Sequence, residues 1–183
     1  MGRRTIGVAI AIPPPYGEQL QRRREQLGDP GAGAIPPHVT LLPPTPVAAA
    51  ALPGIEAHLG VVAAAQPAFS VHLRGAGTFR PVSPVVFVPL AEGIAGCERL
   101  EHAVRSGPLD RVLRFHYHPH VTVAHDLADD RLDRAYAELA SYDARFEAGR
   151  LTLYEHSQDG VWRPLRAFPF LRVPAGAPTA ILG

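Results

Sequence analysis

The sequence predicts an α/β protein that repeats one design twice, and three observations carry the expectation. The tetrapeptide Pro-His-Val-Thr occurs at 37–40 and again at 119–122, with its histidines 82 residues apart in a chain of 183. Each copy lies in a short run rich in Val, Thr and Leu, the composition of a β-strand, with proline ahead of the first strand position, where its missing N–H is tolerated. The order strand, helix, motif strand, helix, strand appears twice, with about 26 residues from first strand to motif in the first half and about 32 in the second.

Taken in order, residues 5–12 are apolar and partly β-branched and predict a buried strand, ended by Pro13, Pro14 and Pro15. Residues 16–27 predict a helix with Leu20 and Leu27 inward and Arg22, Arg23 and Arg24 largely outward, a solvated basic face. Residues 28–37 form a loop whose Gly31-Ala32-Gly33 is too small for a phosphate cradle. The first motif strand spans 38–42, a turn 43–46, and an alanine-rich helix kinked at Pro53 spans 47–60. Residues 68–73 alternate as a strand does, and 75–81 cross to the second half.

There the pattern restarts. Residues 84–90 predict a strand, 92–106 a helix, 109–114 a short extended piece and 118–124 the second motif strand. Residues 126–142 predict a helix with Asp129 and Asp130 near its positive end. Residues 146–155 and 161–168 read as a hairpin around Asp159-Gly160. Residues 1–173 make one domain of two pseudo-repeats, about 5–80 and 84–170, and 174–183 a disordered tail.

Composition narrows the function. The formal net charge is +1, which gives no general field for nucleic acid or membrane, although a short RNA end or a nucleotide remains suitable. All 18 basic residues are arginine, so there is no P-loop lysine and no lysine nucleophile. Asparagine is absent too, which removes N-glycosylation and a Cys-His-Asn triad. Cys97 is single and reads as a small buried hydrophobe rather than part of a disulfide or a cysteine-rich zinc site. The expectation is a cytoplasmic protein: the apolar run 6–12 is too short for a signal peptide and no stretch approaches membrane-span length.

Chemistry centres on the two motifs. Strand alternation puts His38 and Thr40 on one face, and His120 and Thr122 on one face. Two imidazoles and two hydroxyls around one small anion suit phosphoester chemistry without a metal. A neutral imidazole takes a proton from water, a protonated one gives a proton to the leaving oxygen, and the hydroxyls bind the non-bridging oxygens. A cyclic phosphodiester fits best, because its ring strain lowers the barrier.

Both H-x-T motifs, in a duplicated α/β chain of this length, resemble the 2H phosphoesterase superfamily, within it the 2′-5′ RNA ligase and RNA 2′,3′-cyclic phosphodiesterase group, over roughly residues 5–170. The resemblance implies an α+β fold of two pseudo-symmetric lobes, each an antiparallel sheet backed by helices, around a central cleft. It implies His38 and His120 as the acid/base pair, Thr40 and Thr122 as phosphate ligands, no cofactor, and hydrolysis of a 2′,3′-cyclic phosphate to a 2′-phosphate. The substrate would be an RNA 3′ end or a small cyclic-phosphate nucleotide, with no membrane and no obligate protein partner. Ligation would be the reverse reaction.

Where the family often carries arginine after the second motif, this chain has His125. Arg80 or Arg163 are alternative cations, and Phe79, Tyr16 and His118 are further candidates for the rim or for substrate contact. Two other readings stand beside this one. His116, His118 and His120 alternate along a strand and, with His125 near, could hold zinc or nickel. A non-catalytic module binding RNA ends on the same fold is the third, although two intact histidines favour catalysis.

Overall fold

A computed structural model describes residues 2–112 and 115–171. Among these lie nine strands and four helices: β1 Arg3–Ala11, α1 Tyr16–Leu27, β2 His38–Ala48, α2 Leu52–Ala65, β3 Phe69–Arg74, β4 Gly77–Thr78, β5 Val85–Glu92, α3 Ile94–Val104, β6 His120–His125, α4 Asp129–Leu139, β7 Asp143–Ala148, β8 Arg150–His156 and β9 Trp162–Pro169. The strands make two antiparallel sheets. One has the order β2-β1-β8-β9. In the other, β6 lies on one edge of β5, β4 and β3 share its opposite edge, and β7 follows β3.

The two sheets follow one scheme. Each motif strand is an outer strand, paired to the strand that precedes it in sequence: β2 to β1, β6 to β5. The helix joining each such pair packs on the motif strand of the other sheet, α1 on β6 and α3 on β2. The lobes therefore interlock over one apolar core that takes in Ile6, Val8, Leu41, Val86, Val121 and Leu153. Antiparallel sheets backed by helices around a cleft are what the family resemblance leads one to expect.

Local chemistry sets the elements. Helix α1 starts just after Pro13–Pro15 and buries Gly17, Leu20, Arg24 and Leu27, one stripe at helical spacing. It stops at Gly28, whose φ of 74° is the left-handed conformation that glycine adopts without a Cβ clash. Helix α4 buries Leu132, Ala135 and Leu139 and carries Asp129 and Asp130 in its first turn, where carboxylates complement the helix dipole.

Four expectations need correction. Residues 43–46 are not a turn: β2 runs through them to Ala48, and its position at the sheet edge lets Pro43, Pro44 and Pro46 lack an N–H without breaking a central ladder. Pro53 does not kink a helix; it sits in the first turn of α2, where its missing N–H has no intrahelical partner to lose. Residues 146–155 are two strands in different sheets, β7 and β8, because the chain turns at Gly149. Arg24 is not outward: it is 5% exposed and bonds Asp29 at 2.8 Å and the carbonyls of Gly31 and Ile35. The expected tail 174–183 lies outside the described residues, as do residues 113–114 of the expected extended piece; Asp110 to Val112 have no regular structure. No helix among the described residues is long and apolar enough to cross a membrane.

Candidate active site

The two motif strands lie side by side, and their histidines are held in the same way. The Nδ1–H of His38 donates to the carbonyl of Pro36 at 2.8 Å, and that of His120 to the carbonyl of His118 at 2.6 Å. A carbonyl only accepts, so Nδ1 carries the proton on both rings and Nε2 holds the lone pair of the neutral form. On His38 that lone pair meets the Thr40 hydroxyl at 3.1 Å.

A second shared feature lies one residue beyond each H-x-T. Between Ala9↔Thr40 and Val8↔Leu42 the ladder skips Leu41, and between Phe87↔Thr122 and Val86↔Ala124 it skips Val123. Each is a β-bulge with one extra residue on the motif strand. Its effect is visible in burial: Leu41 and Leu42, and likewise Val123 and Ala124, are consecutive and all buried. The bulge ends the in-out alternation directly after the threonine. His and Thr of each motif stay half-buried on one face while the rest of the strand turns into the core.

The loop entering the first motif is braced from below. Arg24 and Asp29 form a buried ion pair, and the same guanidinium holds the carbonyls of Gly31 and Ile35, one residue short of Pro36. Burial is the main cause that pushes the His38 imidazole down to about 4; the hydrogen bond to the Pro36 carbonyl opposes it, and the nearby Arg24 guanidinium and His120 ring add to the lowering. His120 is also held below its ordinary value by burial, with His118 as a neighbouring charge. Burial thus favours the neutral form of both rings.

Aromatic rings wall both histidines. Phe79 meets His120 edge-on at 5.0 Å between centroids, and Phe87 lies 4.9 Å from it. On the other side the Trp162 ring is stacked towards His38, at 6.4 Å and 30° between planes. Trp162 packs directly on Gly7 of β1: a Cβ there would fall 2.0 Å from the indole. Tyr117 ties the sheets together, its hydroxyl donating to the Thr40 carbonyl at 2.9 Å.

A cleft of about 570 Å³ opens beside this array. Of the residues singled out in the sequence, Thr40, Phe79, His118 and His120 line it. His38 adjoins it through Thr40, and Thr122 follows His120 on the same face, opposite Phe87. Four residues lie elsewhere, among them Tyr16, which opens α1 and packs against the apolar core. Arg80 is bound to Asp133 at 2.7 Å and Asp129 at 3.6 Å on α4. His125 is exposed and 3.4 Å from Asp126. Arg163 is paired with Asp159 at 2.7 Å. His116 lines the cleft with His118, yet the described residues hold no group of three His, Cys, Asp or Glu placed to bind a metal ion. Sequence reasoning passed over Arg24, Gly7, Phe87, Arg111 and Trp162. The one signal available was that Trp162 is the chain's sole tryptophan, next to the Asp159-Gly160 turn.

Comparison with known proteins agrees with this architecture. The model of the 2′-5′ RNA ligase superfamily matches residues 12–160. A Bacillus licheniformis protein named "Putative phosphoesterase" is 29% identical over 142 residues, covering 76% of this chain and 83% of its own. One of the same description from Halalkalibacterium halodurans is 28% identical over 164 residues, covering 88% and 95%. The crystal structure of E. coli LigT complexed with NADP+ superposes with a TM-score of 0.69 at 23% identity, over 92% of this chain and 99% of LigT. The LigT complex with 3′-AMP gives 0.68 at 21% identity, over 92% and 99%. The fold and the family match together place this chain in the 2′-5′ RNA ligase superfamily, as a phosphoesterase of the 2H type.

Proposed function

We propose that the protein hydrolyses a 2′,3′-cyclic phosphate at an RNA end or on a nucleotide to a 2′-phosphate, with His38 and His120 as the acid/base pair and no metal. The observation that carries the reading is the paired fixation of the imidazoles: both Nδ1–H groups are tied to the carbonyl two residues upstream, which leaves both Nε2 atoms for chemistry. One neutral imidazole takes a proton from water as its oxygen attacks phosphorus. The P–O3′ bond breaks, and the other imidazole, protonated, delivers its proton to O3′. One water is consumed, and the two rings exchange protonation states. The near-identical setting of both histidines suits such an exchange; the same ring opening with a 5′-hydroxyl in place of water is 2′-5′ ligation, and its reverse re-forms the cyclic phosphate and releases the alcohol. Thr40 and Thr122 donate to the non-bridging oxygens as charge builds there. Phosphate binding supplies the negative charge that raises the depressed imidazoles and lets one of them carry a proton.

The test is a short RNA ending in a 2′,3′-cyclic phosphate, incubated with EDTA. The expected product is the 2′-phosphate, with turnover abolished in His38→Ala and in His120→Ala while both variants remain folded by circular dichroism. Thr40→Ala and Thr122→Ala are each expected to lose about 2–4 kcal/mol of transition-state stabilisation, roughly 30- to 900-fold in kcat. Retained activity in either histidine variant, or turnover that EDTA removes and zinc restores, would overturn the reading.

A further inference from the structure

Arginines around the motifs are neutralised one by one. Arg80 faces Asp133 and Asp129, Arg105 faces Glu101, Arg163 faces Asp159, and Arg4 faces Glu155. Arg111 differs. Among the described residues it pairs with no carboxylate, and it lines the cleft. Its Nη1 donates to the Thr45 hydroxyl at 2.8 Å, and its carbonyl accepts from Arg105 Nη1 at 2.8 Å, so both side chain and backbone are held. Glu101, which also lines the cleft, is spoken for by Arg105.

Much of the remaining wall is apolar, with Leu41, Pro43, Phe79, Val82 and Tyr117, and Ser83 and His116 add polar groups to it. At the rim the apolar Val82 is 83% exposed, beside the exposed His116 and His118. Such walls suit a base and a ribose, and the volume lies in the range of small-ligand sites. They do not suit a run of phosphates, which needs a cationic track. Thr45 stands five residues beyond Thr40 on β2, on the order of 10–15 Å away along a bulged strand. The held guanidinium, bonded to Thr45, therefore lies on the order of 10–15 Å along β2 from Thr40.

We propose that the cleft takes one nucleotide unit that carries, besides the cyclic phosphate, a phosphate chain on its 5′ side, read by Arg111. This rests on the cyclic-phosphate reading and names the substrate class within it. A planar fork already positioned and free of a carboxylate is the group that binds phosphate through paired hydrogen bonds.

The experiment is calorimetric titration with two stable probes, adenosine 2′-monophosphate and 2′-phosphoadenosine 5′-diphosphate. Wild-type protein is expected to bind the second at least tenfold more tightly. Arg111→Gln is expected to shrink that ratio below threefold, with Arg111→Lys between, and the wild-type ratio is expected to fall as salt rises. Equal binding of both probes by wild type, or a ratio unchanged in Arg111→Gln, overturns the proposal. So does an RNA hexamer ending in a 2′-phosphate that binds tenfold more tightly than the diphosphate probe. Hydrolysis of adenosine 2′,3′-cyclic phosphate is followed separately, so failure of the catalytic reading is told apart from failure of this one.

Discussion

A histidine becomes an acid or a base through its surroundings, and both surroundings here lower the imidazole's affinity for protons. His38 is pushed down to about 4 and His120 lies below its ordinary value, in each case chiefly through burial. The proposed reaction needs one neutral and one protonated ring. As pH rises through the higher of the two values the acid is lost; as it falls through the lower the base is lost. Both values lie below 6.5, so kcat/KM is expected to peak below pH 6.5 and to decline towards pH 8, measured on a nucleoside cyclic phosphate. An optimum at 7.5 or above would contradict two desolvated, neutral rings. Gly7 offers a second test at this scale. A methyl group there would collide with Trp162, so Gly7→Ala is expected to shift tryptophan fluorescence and to lower turnover about tenfold or more, by moving the ring from His38. Unchanged fluorescence and activity would show that the indole does not position the imidazole.

Elements matter here through their irregularities. A regular strand would carry alternation past the threonine and send every second side chain back to the cleft. The bulges at Leu41 and Val123 stop this at the same place in both motifs. They form an internal repeat that the side chains alone do not record, since Leu-Leu follows one motif and Val-Ala the other. The loop before the first motif depends on α1 in turn. Arg24→Met leaves Asp29 buried without its partner and frees two carbonyls, so a loss of about 3–5 kcal/mol is expected in denaturant unfolding. A loss under 1 kcal/mol would mean that water replaces the guanidinium at no cost.

At the scale of the molecule, the chain exchanges strands between its lobes. After α2 it leaves for the second sheet through β3, and after β7 it returns to the first through β8 and β9. Each sheet thus needs strands from both halves of the chain, and the helices α1 and α3 are crossed in the same sense. Residues 1–83 expressed alone are therefore expected not to fold, with far-ultraviolet circular dichroism of an unfolded chain, while residues 1–171 unfold in a single transition by far- and near-ultraviolet signals. A folded 1–83 fragment would show that the half-chain buries enough surface without β8 and β9.

Much of this was legible in the residues themselves. Apolar runs, prolines and glycines placed most of the strands and helices, because periodicity and backbone restriction are local. The repeated Pro-His-Val-Thr marked both candidate histidines, because a strand of period two puts His and Thr on one face whatever surrounds it. What the prolines at 43–46 mean was not local: they read as a turn until the strand is known to lie at an edge. The same holds for Arg24, whose partners are loop carbonyls and Asp29, and for Arg80 and His125, which the fold draws to carboxylates away from the cleft. Pairing, register and burial are long-range properties. Tertiary structure alone decided which imidazole nitrogens are tied down, which rings wall them, and that Arg111 lines the cleft with no carboxylate partner among the described residues.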